Sequence, residues 1–501
     1  LICHWPFSHS SRLYSIDSRL ATIIPINTMM QSKAPSFRYY LTLFVLSLLA
    51  AVCDGFGGKN KKKQKEEALA AEEAAAQEVA EEPFDGHVIF GIEMSTKTLT
   101  SSVVLAVLVA FALLTELVSE KSSASDKKIG NNPDAEGTVD VIIVGCGLPK
   151  KGMGWYHLTQ LLDMPTANLR AVVEPFFMNP DLCKDPPKSW INFVEELQAK
   201  GVECVASVDD LSPLDATKKT AALVAGRTHD NPKLFSQCIA KGCNVIYLEK
   251  PGAPSVAALE EMKAEAVKEG VKVYIGYNKN VTPYVQNALK VAETTPNAHV
   301  FFCHNNSYKQ KDLPEVFTRN SEGMLKNMAI HELALLVTFF DVKVDTIDKF
   351  KVNTSKLFSE KLSIWKPGTN LPNPEYLTDF SRVAFKITTK AGVNVSVMAD
   401  RCGGNVSFAV VKDEHGKEVQ KFEFPTEEAA KEIEKKVAAD PDIMPYFLVQ
   451  SDDYLELKNR VIDAILADKE PKGIATIDVA IEALKLAEYG TEELNKALSV
   501  E

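Results

Sequence analysis

One stretch constrains the fold more than any other: Thr138 to Gly147, which reads T-V-D-V-I-I-V-G-C-G. A short, continuous β-branched run suits a strand buried on both faces. Ending it in Gly-x-Gly suits the first strand and turn of a βαβ unit. The glycines have a physical role in such a turn. Gly145 permits the tight reversal, and Gly147 lets the backbone approach a pyrophosphate with no Cβ in the way. The next helix, expected near Trp155–Leu162, would aim its first amides at phosphate. The third glycine is displaced: Gly152 follows Gly147 after four intervening residues, and Gly154 comes soon after. Lys150 and Lys151 fall in this enlarged loop and are candidates to neutralise phosphate charge.

The pattern continues as alternating strands and helices. Leu169–Val173 reads as a second strand that ends in Glu174, 22 residues beyond Gly152. That spacing suits the acid that binds the adenosine ribose hydroxyls of a dinucleotide. A carboxylate there repels a 2′-phosphate, so NAD is favoured over NADP, although Lys184 and Lys188 lie near enough in sequence to offset the charge. Strands are expected at 203–207, 220–225 and 244–248, with helices between them at 190–200 and from Asp230-Asn231-Pro232 to Gly242. This alternation implies a parallel sheet with helices on both faces.

The net charge of -11 argues against a nucleic-acid partner. The nine cysteines include no C-x-x-C pair, which fits a reduced compartment, and neither they nor the histidines have metal-site spacing. Residues 33–53 read as a secretory signal, with Lys33 and Arg38 before an apolar core. An Ala/Glu stretch at 66–82 has almost nothing large to bury. Residues 98–115 carry no charge and approach the ~18–20 residues that span a bilayer. The N-terminal part therefore predicts a membrane-anchored protein of an endomembrane or organelle, with its catalytic part facing the cytosol.

Three ordered motifs follow the Gly-x-Gly turn. Glu249-Lys250-Pro251 closes the fifth strand. Gly276-Tyr277-Asn278-Lys279-Asn280 leads to Pro283. Gly323-x-Leu325-x-Asn327 precedes His331 by helical spacing. Together they resemble the Gfo/Idh/MocA oxidoreductases, the glucose–fructose oxidoreductase and inositol dehydrogenase type. The likeness is good over 138–340 and loose over 456–501. It implies a Rossmann-type nucleotide domain (138–275) and an α/β substrate and oligomerisation domain with a mostly antiparallel open sheet (276–455). Helices at 456–501 would return to the body, behind an N-terminal segment (1–137) holding the membrane helix.

The resemblance also implies roles. Lys250 would bind the substrate hydroxyl beside the nicotinamide, with Glu249 on the cofactor side. His331 would exchange the hydroxyl proton, a task suited to a group that titrates near neutrality. Asn327 stands where the family's polyol dehydrogenases usually carry aspartate. An amide orients a ligand but is no base. Gly145, Gly147, Gly152 and Glu174 would hold NAD. Lys309, Arg319 and Trp365 are further candidate substrate contacts that no motif fixes, and the turn Asp400–Gly404 is a candidate to approach the site. The expected activity is hydride transfer between NAD(P) and a small sugar, polyol or carbonyl compound, in a homo-oligomer. The alternative is a membrane-tethered NAD(H)-binding sensor or scaffold without turnover.

Overall fold

The computed structural model describes residues 87–89, 92–94, 137–366, 375–404 and 406–498. The chain divides into two compact units, 1–127 and 128–501. In the first, β1 (His87–Ile89) pairs antiparallel with β2 (Ile92–Met94). The sequence reading did not anticipate this pair.

The second unit opens with a parallel sheet. Its strands are β3 (Val139–Val144), β4 (Ala167–Val173), β5 (Glu203–Val205), β6 (Thr220–Val224), β7 (Val245–Leu248) and β8 (Lys272–Ile275). They lie in the order β8-β7-β6-β3-β4-β5, and a two-residue strand, Ala475–Thr476, adds antiparallel to β8. Successive strands run outward from β3 in opposite directions, and that reversal leaves a crevice at the carboxyl ends of β3, β4 and β6.

Alternation along the strands separates two cores. Ile142 and Val144 of β3 face the helices Asn231–Lys241 and Val256–Glu269, through Phe235, Leu259 and Met262. Val141 and Ile143 face the helix Met153–Leu162 and a late helix, Ser451–Ala467, through Leu158, Leu161, Leu457 and Val461. One face of the nucleotide sheet is thus closed by residues about 300 positions away in sequence.

The second sheet contains β9 (His299–Asn305), β10 (Ile347–Val352), β11 (Glu360–Trp365), β12 (Tyr376–Thr389), β13 (Asn394–Asp400), β14 (Ser407–Lys412) and β15 (Glu418–Phe424). The order is β10-β12-β13-β9-β14-β15, with β11 also paired to β12. Only β9 and β13 run parallel; every other pairing is antiparallel. The helices Pro283–Thr294, Ile330–Phe340 and Ile477–Leu498 pack against this sheet. The last of these lies in the stretch 456–501 where helices were expected; it begins at Ile477, because Ala475 and Thr476 extend the first sheet.

The membrane-anchored placement is corrected. No helix among the described residues is long and apolar enough to cross a membrane. The signal-like segment 33–53 and the apolar segment 98–115 lie outside the described residues. The membrane tether of the alternative reading rested on those segments and has no support in the described fold.

The enlarged loop after β3 folds back on itself. Lys151 and Gly152 both donate to the Leu148 carbonyl, at 3.0 and 2.8 Å. This brings Gly152 against Gly147, where a Cβ on Gly147 would lie 2.9 Å from the Gly152 Cα. Gly154 sits on the strand itself: a Cβ there would be 2.1 Å from the Gly145 carbonyl oxygen. Gly154, two residues beyond the glycine singled out in the sequence, thus allows the closest approach of helix to strand. Gly154→Ala should lower stability by at least ~1–3 kcal/mol, the usual cost of overpacking, because backbone must move. A urea unfolding midpoint unchanged from the parent would contradict this.

Candidate active site

At the carboxyl ends of β3, β4 and β6 lies an open cleft of about 690 Å³. Gly145 and Gly147 form one side, both at positive φ (82° and 71°), and Glu174, Phe176 and Arg227 form others. The Glu174 carboxylate accepts from the Gly147 amide at 2.7 Å and from the Phe176 amide at 3.1 Å. It is therefore held at the cleft wall by the loop that the sequence motif places at a pyrophosphate. The cleft fits a dinucleotide: bare backbone at the loop and an anchored carboxylate at the end of the second strand.

Lys150 and Lys151 do not point into it. Lys150 pairs with Asp440 at 2.8 Å, and Lys151 donates to the Asp442 carbonyl at 2.9 Å. Both lysines join the glycine loop to the segment after the helix Glu427–Ala439.

Glu249 and Lys250 follow β7. Glu249 accepts from His157 Nε2 at 2.9 Å, and His157 Nδ1 accepts from Lys458 Nζ at 2.9 Å. His157 comes from the helix after the glycine loop and Lys458 from the helix Ser451–Ala467. His157 is fully buried and Lys458 nearly so. Burial, reinforced by Lys458, pushes the His157 imidazole down to about 4, so it stays neutral and bridges ammonium and carboxylate. Burial likewise lowers Lys458 to about 7.

Lys250 Nζ donates to the backbone carbonyl of Asn327 at 3.0 Å. Burial lowers its pKa, against an upward pull from Glu249. The expected single helix carrying Asn327 and His331 is two pieces, Met324–Asn327 and Ile330–Phe340, because Met328 and Ala329 both turn back to the Met324 carbonyl. His331 is therefore at the start of its helix. Its ring meets the Tyr277 ring edge-on at 5.9 Å, and its Nδ1 is buried with no hydrogen-bond partner. Burial first, then Lys250 and Lys279, hold its pKa well below 6.5. Lys250 and His331 thus act on each other electrostatically, one a cation and the other a neutral imidazole.

Residues that the motifs did not single out position this corner. The Glu332 side chain is fully buried and pairs with Lys279 and with His304, at 3.2 Å for the latter. These partners keep its carboxylate ionised despite burial. Arg401 pairs with Asp379 at 2.6 Å, and Asp379 accepts from the Met324 amide at 3.1 Å. This pins the short helix that presents Asn327. The Asp400–Gly404 turn thereby supports the site from behind. Arg319 is engaged elsewhere, at 3.4 Å from Glu315 and 3.3 Å from the Tyr308 hydroxyl. Trp365 is half exposed at the end of β11. Among the described residues no group of three or more His, Cys, Asp or Glu could hold a metal ion.

Residues 139–277 match the family model for the NAD-binding Rossmann fold of the Gfo/Idh/MocA oxidoreductases. Over that segment the chain is similar to that family. The match is to the NAD-binding domain of an oxidoreductase family and supports an NAD-dependent enzyme with NAD as cofactor. No curated protein matches the chain by sequence. Among solved structures, a probable dehydrogenase from Thermotoga maritima is 16% identical, with 72% of this chain and 97% of that one covered and a TM-score of 0.52. A myo-inositol 2-dehydrogenase from Lactobacillus plantarum is 15% identical over 72% and 98% of the two chains (TM-score 0.49). GenD2 from gentamicin A biosynthesis, solved in complex with NAD, is 16% identical over 72% and 95% (TM-score 0.48). At these identities the Thermotoga likeness shows the fold alone.

The neutral burial of His157 gives the fold a pH signature. In the unfolded chain the imidazole takes a proton near pH 6.5; in the fold it does so only near 4. Acid therefore favours unfolding, and stability is lost as pH falls from 6.5 to 4. His157→Gln should flatten this limb, by up to ~1.4 kcal/mol per pH unit for one proton. Equal slopes for parent and variant in urea unfolding across that range would contradict it.

Proposed function

We propose that the chain transfers hydride between NAD and the CH–OH or C=O carbon of a small sugar, polyol or carbonyl compound. The observation that carries this reading is the electrostatic influence of Lys250 on a buried, neutral His331 whose Nδ1 has no hydrogen-bond partner. NAD, when bound, supplies the hydride acceptor or donor. Gly145, Gly147 and Gly152 would present bare backbone to its pyrophosphate, Glu174 would take the adenosine ribose hydroxyls, and Glu249 would lie at the nicotinamide end.

The protein's own groups would then move the proton. In alcohol oxidation the His331 imidazole accepts the hydroxyl proton. Lys250 donates a hydrogen bond to the same oxygen, and its charge stabilises the developing alkoxide. In carbonyl reduction the steps reverse. Asn327 holds Lys250 through its main-chain carbonyl, so the change from the family's usual aspartate leaves that contact available, and its side-chain amide is left to orient substrate. This favours a site in which His331 alone does the proton transfer.

The test is steady-state turnover over a panel of polyols, sugars and carbonyl compounds with NAD or NADH. Lys250→Ala and His331→Asn should each lower kcat/KM by about 10²–10⁴, the usual worth of an acid–base group. Their NADH affinity should stay within ~3-fold of the parent, well under 1 kcal/mol. Turnover in Lys250→Ala equal to the parent would overturn the assignment.

A further inference from the structure

A dinucleotide brings the negative charge of a diphosphate to the glycine loop, and a basic side chain usually meets such a group. The loop's own lysines are engaged elsewhere. Lys150 lies 2.8 Å from Asp440, and Lys151 donates to the Asp442 carbonyl at 2.9 Å. The Gly147 amide is engaged too, because it donates to Glu174 at 2.7 Å. Peptide dipoles remain, but the loop turns no full positive charge toward the cleft.

The neighbouring wall supplies one. Strand β6 ends at Val224, and the chain runs on through Ala225 and Gly226 to Arg227. The Ala225 amide donates to the Val144 carbonyl at 2.8 Å, which keeps this strand end beside that of β3. Gly226 then touches the glycine turn itself: a Cβ on Gly145 would lie 2.7 Å from the Gly226 Cα. Arg227 is the next residue, and it lines the same cleft as Gly145, Gly147 and Glu174. Its carbonyl accepts from the Asp230 amide at 2.9 Å, which closes a turn and holds its main chain. Its side chain is exposed and has no hydrogen-bond or ion-pair partner among the described residues. The other charges on the cleft wall are Glu174, Asp230 and Lys233. Glu174 is tied to the Gly147 and Phe176 amides, and Asp230 pairs with His229 at 3.1 Å. Lys233 comes six residues later, inside the helix Asn231–Lys241.

We propose that Arg227 is the charge partner of the cofactor's diphosphate, binding from the β6 side the phosphates that the glycine loop seats, in the place that Lys150 and Lys151 leave unfilled. The proposal rests on the reading of Gly145, Gly147 and Glu174 as the cofactor seat and adds the group that neutralises it. It is independent of Lys250 and His331. The side chain suits the task. A guanidinium is planar and always charged, and its paired donors match phosphate oxygens. Its main chain is fixed by the turn while its head is unpaired, so it can move from solvent to ligand without giving up a partner. Lys150 would first have to leave Asp440.

The experiment is fluorescence titration of the full chain with NADH, competed by ADP-ribose, which keeps the diphosphate, and by adenosine, which lacks it. The parent is compared with Arg227→Gln, with Arg227→Lys and with Lys233→Gln as a control. Arg227→Gln should weaken NADH and ADP-ribose by ~10-fold or more, the usual worth of a charge-assisted hydrogen bond, and leave adenosine within ~3-fold. Arg227→Lys should recover part of the loss, because it keeps the charge and loses the fork. Lys233→Gln should stay within ~3-fold for all three ligands. Added salt should weaken NADH binding more in the parent than in Arg227→Gln. The proposal is overturned if folded Arg227→Gln binds NADH and ADP-ribose as the parent does. It is also overturned if adenosine loses as much as ADP-ribose, which would put Arg227 against the adenine. Unchanged binding in Arg227→Gln would sink this assignment alone, whereas a folded parent that binds no NADH would remove the cofactor seat with it.

Discussion

The approach of Gly154 to the Gly145 carbonyl sets where everything else in the site can be. It fixes how closely the first helix lies on β3. That helix carries His157 into the sheet's lower face, where the imidazole meets Glu249 at the end of β7. Glu249 is the neighbour of Lys250, so a backbone contact at the glycine loop is felt at the proposed reacting corner through two side chains. A buried carboxylate, imidazole and ammonium in series is stable only when each is satisfied. His157 meets that demand because it stays neutral and bonds on both sides.

The second sheet supplies the matching half. Its strands do not reach into the corner directly; they hold the pieces that do. Arg401 and Asp379 fix the turn that offers the Asn327 carbonyl to Lys250. Lys279 and His304 fix Glu332, and with it the first turn of the helix that carries His331. A buried carboxylate with one partner removed is expensive. These pairs are therefore expected to keep the His331 helix in a single position.

Much of this was legible in the sequence, for a physical reason. A strand buried on both faces must be a continuous apolar run, and a backbone that approaches a phosphate must be glycine, so β3, its turn and Glu174 stand out from residue types alone. The motif at Glu249-Lys250-Pro251 and the one ending in His331 also stand out as local patterns. His157 and Lys458 do not. Their meaning comes from contacts across about 300 residues, and no local period marks them. Lys150 and Lys151 show the converse error: charge near a phosphate loop suggested neutralisation, but Asp440, far along the chain, takes Lys150. The membrane reading failed in a similar way. It rested on apolar length at 98–115, outside the described residues, among which no helix is long and apolar enough to cross a membrane.

The central claim is that Gly145, Gly147 and Glu174 form the seat of NAD and that the corner of Lys250 and His331 works on what lies beside it. The most direct test is a fluorescence titration of the full chain with NADH and with NADPH, repeated with Glu174→Ala. The account predicts saturable NADH binding at least ~10-fold tighter than NADPH, and a preference that narrows in the variant as the carboxylate's hydrogen bonds to ribose and its repulsion of a 2′-phosphate are both lost. No binding of either nucleotide by folded protein, or an NADH preference untouched by Glu174→Ala, would contradict it.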